Sequence, residues 1–401
     1  MFTSAVPKTD RKALSDENAE IVRQTLSVIG GNINKITPVF YRTMFANHPE
    51  LIADTFNRGN QRSGEQQKAL AASIVTFAAM LVDDEASDPV EMLSRIGHKH
   101  VSLGITADQY QIVHDNLFSA IVEVLGDAIT PEIAAAWDEV YWLMAEVLIN
   151  YEADLYKSAG VAAGDVFRKA TLTGKRQLTE LVTEYSFVGE GFADALAGQY
   201  VSIGVKLPDG ARQLRQYSLI SHDADGFSVA IQSDGEVSNF LLNNVNIGDE
   251  VDATLPAGDL VLQDSDAPIV LVSQGIGSTP MTGMLASLVA TREQKRQPIV
   301  VLHADVSEAA YAQRATTERL VEALQEKGSA EHVTAYRDQG QTLDLEQLHS
   351  AGKLPSHADW YLCGGTNFLQ NIREQLAADS SGLAPAGIHF ELFSPNDWLI
   401  S

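Results

Sequence analysis

Arg215-Gln216-Tyr217-Ser218 follows Gly198-Gln199-Tyr200 and precedes Gly275-Ile276-Gly277-Ser278-Thr279-Pro280 along the chain. An Arg-x-Tyr-Ser run at a strand end suits a flavin in three ways: the Arg meets the pyrophosphate, the Tyr packs on the ring and the Ser contacts the ring edge. No one of these residues is diagnostic alone. The glycine loop follows the β-branched run Ile269-Val270-Leu271-Val272 and opens a helix with proline near its start. Strand, Gly-x-Gly loop and helix in that order can cradle the pyrophosphate of a pyridine dinucleotide. A dinucleotide that feeds a flavin moves electrons, so a redox protein is expected.

Outward from these motifs, segments 200–205, 216–220 and 227–231 alternate with turn signals at Pro208-Asp209-Gly210 and Asp223-Ala224-Asp225-Gly226. Short strands so punctuated predict a small antiparallel barrel. Beyond it, the apolar strands 269–272, 299–303 and 360–363 alternate with helical stretches and predict a doubly wound parallel sheet. From residue 16 to about 157 the period is helical. Ile33, Ile36, Phe40 and Met44 share one face, and Trp137, Tyr141, Met144, Leu148, Tyr151 and Leu155 another. Gly and Pro fall mainly between these runs. The small, unpatterned Ser158-Ala159-Gly160-Val161-Ala162-Ala163-Gly164 reads as a linker. The expected multidomain order is an all-α domain over 1–157, a β-barrel over 158–264 and an α/β domain over 265–401.

A length of 401 residues accommodates two or three domains, each with its own core. The net charge of -25 argues against nucleic acid or anionic membranes as partners, since both need phosphate charge neutralised by Lys and Arg. Met1-Phe2-Thr3-Ser4-Ala5-Val6-Pro7 lacks a basic region followed by an apolar run, and no apolar stretch reaches transmembrane length. A soluble, cytoplasmic monomer is expected. The one cysteine, Cys363, excludes an intramolecular disulfide, a Cys-ligated cluster and a cysteine zinc site. Any metal falls to histidine, carboxylate or a prosthetic group.

His100 lies at i+4 and i+8 from Ile96 and Met92, so its imidazole shares an apolar helical face. That placement suits a haem ligand, and a core histidine with a satisfied hydrogen bond is the plainer alternative. His98 is about 200° away around the helix and cannot join His100 on one metal. Gln66 and Leu70, spaced i, i+4, set a polar donor beside an apolar wall, as a small diatomic ligand would need. Taken alone, Tyr41 and Leu70 are ordinary core residues and Glu152 a solvated helix residue.

Phe40-Tyr41-Arg42-Thr43-Met44-Phe45, Asn47-His48-Pro49-Glu50-Leu51, Phe56-Asn57, Asn60-Gln61-Arg62, His98-Lys99-His100 and Ile149-Asn150-Tyr151-Glu152 together resemble the globin domain of bacterial flavohaemoglobins. The likeness covers essentially the whole chain, in the order globin, FAD domain, NAD domain, at the spacing of a two-domain flavin reductase. It implies haem b with its iron held by His100, Phe56 packed on the haem, Tyr41 as the distal hydrogen-bond donor to dioxygen, and Gln66 and Leu70 as the remaining distal pair. Tyr110 and Glu152 match the residues that form a hydrogen-bonded group with the proximal histidine in this family. A carboxylate accepting from the imidazole N–H makes the ligand more basic and favours oxidised iron. Lys99 matches the lysine that pairs with a glutamate, here Glu391, across the FAD–haem boundary.

Tyr200, Arg215, Gln216, Tyr217 and Ser218, with Gly235 and Ser238 of Gly235-Glu236-Val237-Ser238-Asn239, resemble the FAD site of the ferredoxin-reductase superfamily. The last run lies where the barrel should give way to a short helix, whose N–H groups can cap a pyrophosphate. Ala230-Ile231-Gln232 lacks the basic residue often found there, which leaves more of the pyrophosphate affinity to Arg215. Gly275, Ile276, Gly277, Ser278, Thr279 and Pro280 resemble the nicotinamide site of the same superfamily. In Tyr361-Leu362-Cys363-Gly364-Gly365, Gly365 stands where the family usually has proline. Cys363 either faces the nicotinamide or is a buried core residue. Phe390-Glu391-Leu392-Phe393-Ser394-Pro395 resembles the C-terminal segment that returns to the flavin. It would place Phe393 over the ring and Glu391 toward the haem, with Leu392 and Ser394 replacing the family's common cysteine and glycine.

The resemblance implies a nitric oxide dioxygenase in which NAD(P)H reduces FAD, FAD passes single electrons to haem, and NO and O2 leave as nitrate. Two other readings stay open: a haem-based diatomic-gas sensor or carrier with an accessory reductase, and a flavin-dependent diaphorase or hydroperoxide reductase. NADH and NADPH are both admissible. Asp305, just beyond the strand ending at His303, would repel a 2′-phosphate and tilt the choice to NADH.

Overall fold

The computed structural model describes residues 2–3, 14–54, 56, 65–83, 90–291, 297–326, 328–378 and 382–393, without the side chains of 53–54, 65–69, 71–72 and 90–92. Helical domain, antiparallel barrel and parallel sheet follow one another in the expected order. Among the described residues no helix is long and apolar enough to cross a membrane. The chain divides into two compact units: one holds the described residues up to Phe167 with Gly204–Arg215, the other Arg168–Ile203 with the described chain from Gln216 onward.

In the first unit the described helices are α1 (Asp16–Asn47), α2 (Pro49–Asp54), α3 (Glu65–Val82), α4 (Val90–Val101), α5 (Asp108–Leu125) and α6 (Pro131–Ser158). Ser15 caps α1 by accepting from the Asn18 N–H at 3.2 Å, and Asp16 and Glu17 favour the positive end of its dipole. Pro38 lies inside α1 rather than between helices. Thr130 caps α6 in the same way, and Pro131 fills the first helical position, where no N–H is needed. The faces read from the sequence are buried: Ile36, Phe40 and Met44 on α1, and Trp137, Tyr141, Met144, Leu148, Tyr151 and Leu155 on α6. Each fully buried apolar side chain contributes roughly 1.5–3 kcal/mol. The hairpin segment belonging to this unit is held by specific contacts. Gln213 Nε2 donates to the Ile52 carbonyl at 3.1 Å, and the Arg212 guanidinium lies 4.2 Å from the Phe167 ring centre.

The barrel strands are β1 (Phe167–Gln177), β2 (Val182–Val188), β3 (Tyr200–Lys206), β4 (Arg212–His222), β5 (Gly226–Gln232) and β6 (Glu250–Thr254), closed in the order β1-β2-β5-β4-β3-β6. Helix α7 (Glu236–Asn244) sits between β5 and β6 in sequence. Gly198, at φ +103°, has no room for a side chain: a Cβ would lie 2.0 Å from the Leu260 carbonyl. The remaining strands β7 (Ile269–Gln274), β8 (Ile299–Asp305), β9 (Ala330–Tyr336), β10 (Asp359–Gly364) and β11 (Gly387–Leu392) form a parallel sheet in the order β11-β10-β7-β8-β9. Helices α8 (Ser278–Thr291), α9 (Arg314–Gln325), α10 (Leu345–Ser350) and α11 (Thr366–Ala377) are the connections. The register aligns Glu391, Cys363, Ser273, His303 and Thr334 in one row across the sheet, near the carboxyl ends where open α/β sheets bind ligands.

Candidate functional site

His100 sits in the last turn of α4 and Glu152 on the buried face of α6, at i+4 from Leu148. Glu152 Oε1 lies 2.7 Å from His100 Nδ1 and accepts from the Tyr110 hydroxyl at 2.5 Å; Tyr110 Oη is itself 3.0 Å from Nδ1. A carboxylate only accepts, so Nδ1 carries the imidazole proton and Nε2 keeps its lone pair. The Tyr141 hydroxyl donates to the Tyr110 carbonyl at 2.7 Å and braces the group from behind. Burial, then the adjoining Glu152 carboxylate, pushes the Tyr110 phenol well up, so it remains a donor at neutral pH. The Glu152 side chain is 4% exposed and the His100 side chain 32%. No hydrogen bond to His100 Nε2 is formed among the described residues.

His98 is buried edge-on to Tyr151 and takes no part in this group. Tyr41 is buried on α1, its ring 6.0 Å from Phe56 and 5.6 Å from Phe45, so Tyr41 and Phe56 form one aromatic wall. Leu70 is half-buried against the same core. Gln66 lies on α3, but its side chain, like that of Met92, falls outside the described residues, as do Asn57, Asn60, Gln61, Arg62, Ser394 and Pro395. Lys99 is exposed on α4.

In the second unit, Gly275–Gly277 forms a single tight turn between β7 and α8, with Gly275 at φ +55°. A Cβ on Gly277 would lie 2.4 Å from the Cys363 carbonyl, so only glycine lets this loop close on β10. Thr279 Oγ1 donates to the Ile276 carbonyl at 2.9 Å, and Pro280 is the third residue of α8. Ser278 Oγ, at the start of that helix, is buried without a hydrogen-bond partner among the described residues. Cys363 is fully buried, and burial with Glu391 behind it pushes the thiol well up, so it is no thiolate at neutral pH. On β4, Gln216 Nε2 donates to Ser202 Oγ at 2.9 Å, Ser218 is buried and Tyr217 is half-buried. Tyr200 is buried on β3. Arg215 Nη1 donates to the Leu214 carbonyl at 2.7 Å. The Ser238 hydroxyl accepts from the Gly235 N–H at 2.9 Å and so closes the cap of α7 instead of facing outward. Gly364 ends β10 and Gly365 caps α11; Glu391 and Leu392 are buried at the end of β11, and Phe393 is exposed beyond it.

The globin family model matches residues 39–148. A flavohaemoprotein of Bacillus subtilis is 32% identical over 401 residues, spanning 95% of this chain and 98% of the relative; one from Bordetella pertussis is 37% identical over 410 residues, with the same coverage. The chain belongs to the flavohaemoproteins. A solved flavohaemoglobin of Malassezia yamatoensis, with bound FAD and haem, superposes at TM-score 0.85 with 34% identity over 95% of this chain and 99% of that one. The flavohaem-like FAD/NAD-binding domain of a Vibrio cholerae nitric oxide dioxygenase matches 56% of this chain and 98% of its own length, at TM-score 0.51 and 28% identity. A flavohaemoprotein is an oxidoreductase built as a globin joined to a reductase module, and the element order here is that architecture.

Two observations test whether this flavohaemoprotein's residues fit its family's prosthetic groups. An imidazole with one nitrogen held by a carboxylate and the other open is the donor set of a haem ligand. A buried hydroxyl without a partner among the described residues, at a helix N-terminus beside a tight glycine turn, fits a pyrophosphate. Sequence reading passed over Tyr141, Ser273, and His303 with Tyr311. The sequence carried only the direction of Ser273 and His303, each two residues beyond a buried apolar residue of its strand, Leu271 or Val301, and not their pairing.

Proposed function

We propose that the chain is an NAD(P)H-dependent nitric oxide dioxygenase that converts NO and O2 to nitrate, with electrons passed from the dinucleotide through FAD to a haem iron. The observation that carries this reading is the His100–Glu152 pair with Nε2 open, in a chain that also carries a parallel five-stranded sheet. When bound, haem supplies a redox-active iron for small diatomic molecules, and FAD converts two-electron hydride chemistry into single electrons. Glu152 fixes the His100 tautomer and raises the basicity of Nε2, while the Tyr110 hydroxyl shares the same carboxylate oxygen and keeps it in place. Tyr41 offers a hydroxyl, with Gln66 as its polar companion, to a diatomic substrate against the apolar wall of Phe56 and Leu70. In the second unit, the β4 residues Gln216 to Ser218, Tyr200 and the α7 N-terminus at Gly235 and Ser238 hold the flavin, with the exposed Phe393 able to cover its ring. Gly275 to Pro280, with Cys363 and Gly364 beside them at the end of β10, receive the dinucleotide. The protein works as a cytoplasmic monomer whose partners are these small molecules.

The test is NADH-driven loss of NO in aerobic buffer by protein showing both haem and flavin absorption bands. Rapid, stoichiometric conversion to nitrate is expected. If reduced protein binds both gases but removes NO no faster than buffer does, the enzyme reading falls and a carrier or sensor remains.

A further inference from the structure

The strand β7, the Gly275–Gly277 turn, α8 and β8 make one βαβ unit, and Asp305 is the last residue of its second strand. In such units an acidic side chain at that strand end meets the ribose 2′-hydroxyl of the dinucleotide. Asp305 is unusually well fixed for the task. Its Oδ1 accepts from the Val306 N–H at 2.7 Å and its Oδ2 faces His303 Nε2 at 3.2 Å, so each oxygen has one protein donor and keeps a second lone pair. His303 is itself immobilised. Its side chain has no solvent exposure, its ring stacks on Tyr311 at 3.5 Å and 18°, and its Nδ1 lies 2.8 Å from Ser273 Oγ.

The protonation pattern follows from these partners. Burial holds the His303 imidazole below its ordinary range, the nearby Asp305 only partly offsetting this, so the ring is neutral at physiological pH. Nε2 must then donate to the carboxylate, and Nδ1 accepts from the Ser273 hydroxyl. A neutral ring orients Asp305 without cancelling its charge. Arg314, which follows β8, is engaged by Glu308 and lies 3.8 Å from Glu318, so it brings no net positive charge to the strand end.

We infer that Asp305 takes the adenosine ribose of NADH through its 2′-hydroxyl and rejects the 2′-phosphate of NADPH, with His303, anchored by Ser273, as the positioning residue that holds the carboxylate in place. This rests on the dinucleotide reading of the Gly275 loop and adds the choice between the two dinucleotides.

Calorimetric binding of ADP-ribose and of 2′-phospho-ADP-ribose to the haem- and FAD-loaded protein tests it without turnover. Wild-type protein binds ADP-ribose tighter by roughly tenfold or more, the scale of one like-charge contact near a surface. Asp305→Asn, which keeps the shape and removes the charge, narrows that ratio to within a few-fold. Ser273→Ala, which frees Nδ1 but leaves the carboxylate, narrows it in part; a mere strand brace would lose stability with the ratio unmoved. Equal or tighter binding of the 2′-phosphorylated probe by wild type overturns the inference and hands the phosphate to Arg314 or the exposed Arg337. Failure of both probes to bind removes the dinucleotide site, and the inference with it.

Discussion

His100 and His303 have the same kinds of neighbour, a carboxylate and a hydroxyl, yet in opposite arrangements. At His100 both neighbours crowd onto Nδ1, Glu152 at 2.7 Å and Tyr110 at 3.0 Å, and Nε2 is left open. At His303 the neighbours are split, Ser273 on Nδ1 and Asp305 on Nε2, and no lone pair is left for a metal. Partner count does not distinguish a ligand from a brace. What distinguishes them is whether both partners share one ring nitrogen.

The sharpest way to break this contrast is to remove each ring. His100→Ala should drop haem content per flavin to near background, read from the ratio of the haem and flavin absorption bands. His303→Ala should leave that ratio unchanged and instead destabilise the second unit by about 1–3 kcal/mol, since it strands the Asp305 and Ser273 partners. Haem loading that survived His100→Ala would end the ligand assignment.

Next in size is Glu152→Gln. An amide cannot push electron density through Nδ1–H as a carboxylate does, so the iron midpoint potential should rise in a redox titration, while ADP-ribose affinity holds. An unchanged potential would reduce Glu152 to a packing role.

The pH dependence separates the units on the acid side. Burial lowers the pKa of His303, His332 and His389, all in the second unit. Below about 6.5 the unfolded chain takes up protons that these folded rings refuse, so stability is full above that value and declines as pH falls. Denaturant titrations followed by flavin fluorescence should show this loss beginning as pH drops through the range of the free imidazole. The alkaline side does not discriminate, because burial raises phenols in both units: Tyr110, Tyr141 and Tyr156 in the first, Tyr311 and, to about 12, Tyr185 and Tyr361 in the second. Their contribution fades above about pH 10, where the unfolded phenols ionise.

The smallest expected effect is that of Ser273→Ala on stability, about 1 kcal/mol for one lost hydrogen bond. A larger loss in a chemical melt would mean that the hydroxyl does more than orient a ring.

The periodicities in the sequence were enough for the architecture, because strand, turn and helix signals are local. The i+4 and i+8 relation to Ile96 and Met92 was likewise enough to single out His100. Glu152 was harder: its neighbours Asn150 and Ala153 look solvated, and only its four-residue step from Leu148 to Tyr156 betrays the buried face. Ser273 and His303 were hidden for a different reason. Their meeting depends on which strands lie side by side and in what register, and β7 and β8 are separated by a whole helix. Ser238 could be placed at the cap of α7, but not the direction of its hydroxyl, which the local cap geometry absorbs.

The hairpin segment Gly204–Arg215 gives the molecule an order of assembly during synthesis. Because Gln213 and Arg212 close onto Ile52 and Phe167, the first unit is not one unbroken length of chain. It cannot finish closing on the ribosome until Arg215 has cleared the exit tunnel, by which time the opening strands of the second unit have already emerged. A gene cut just after the last globin helix would therefore release a fragment missing one of its own clasps.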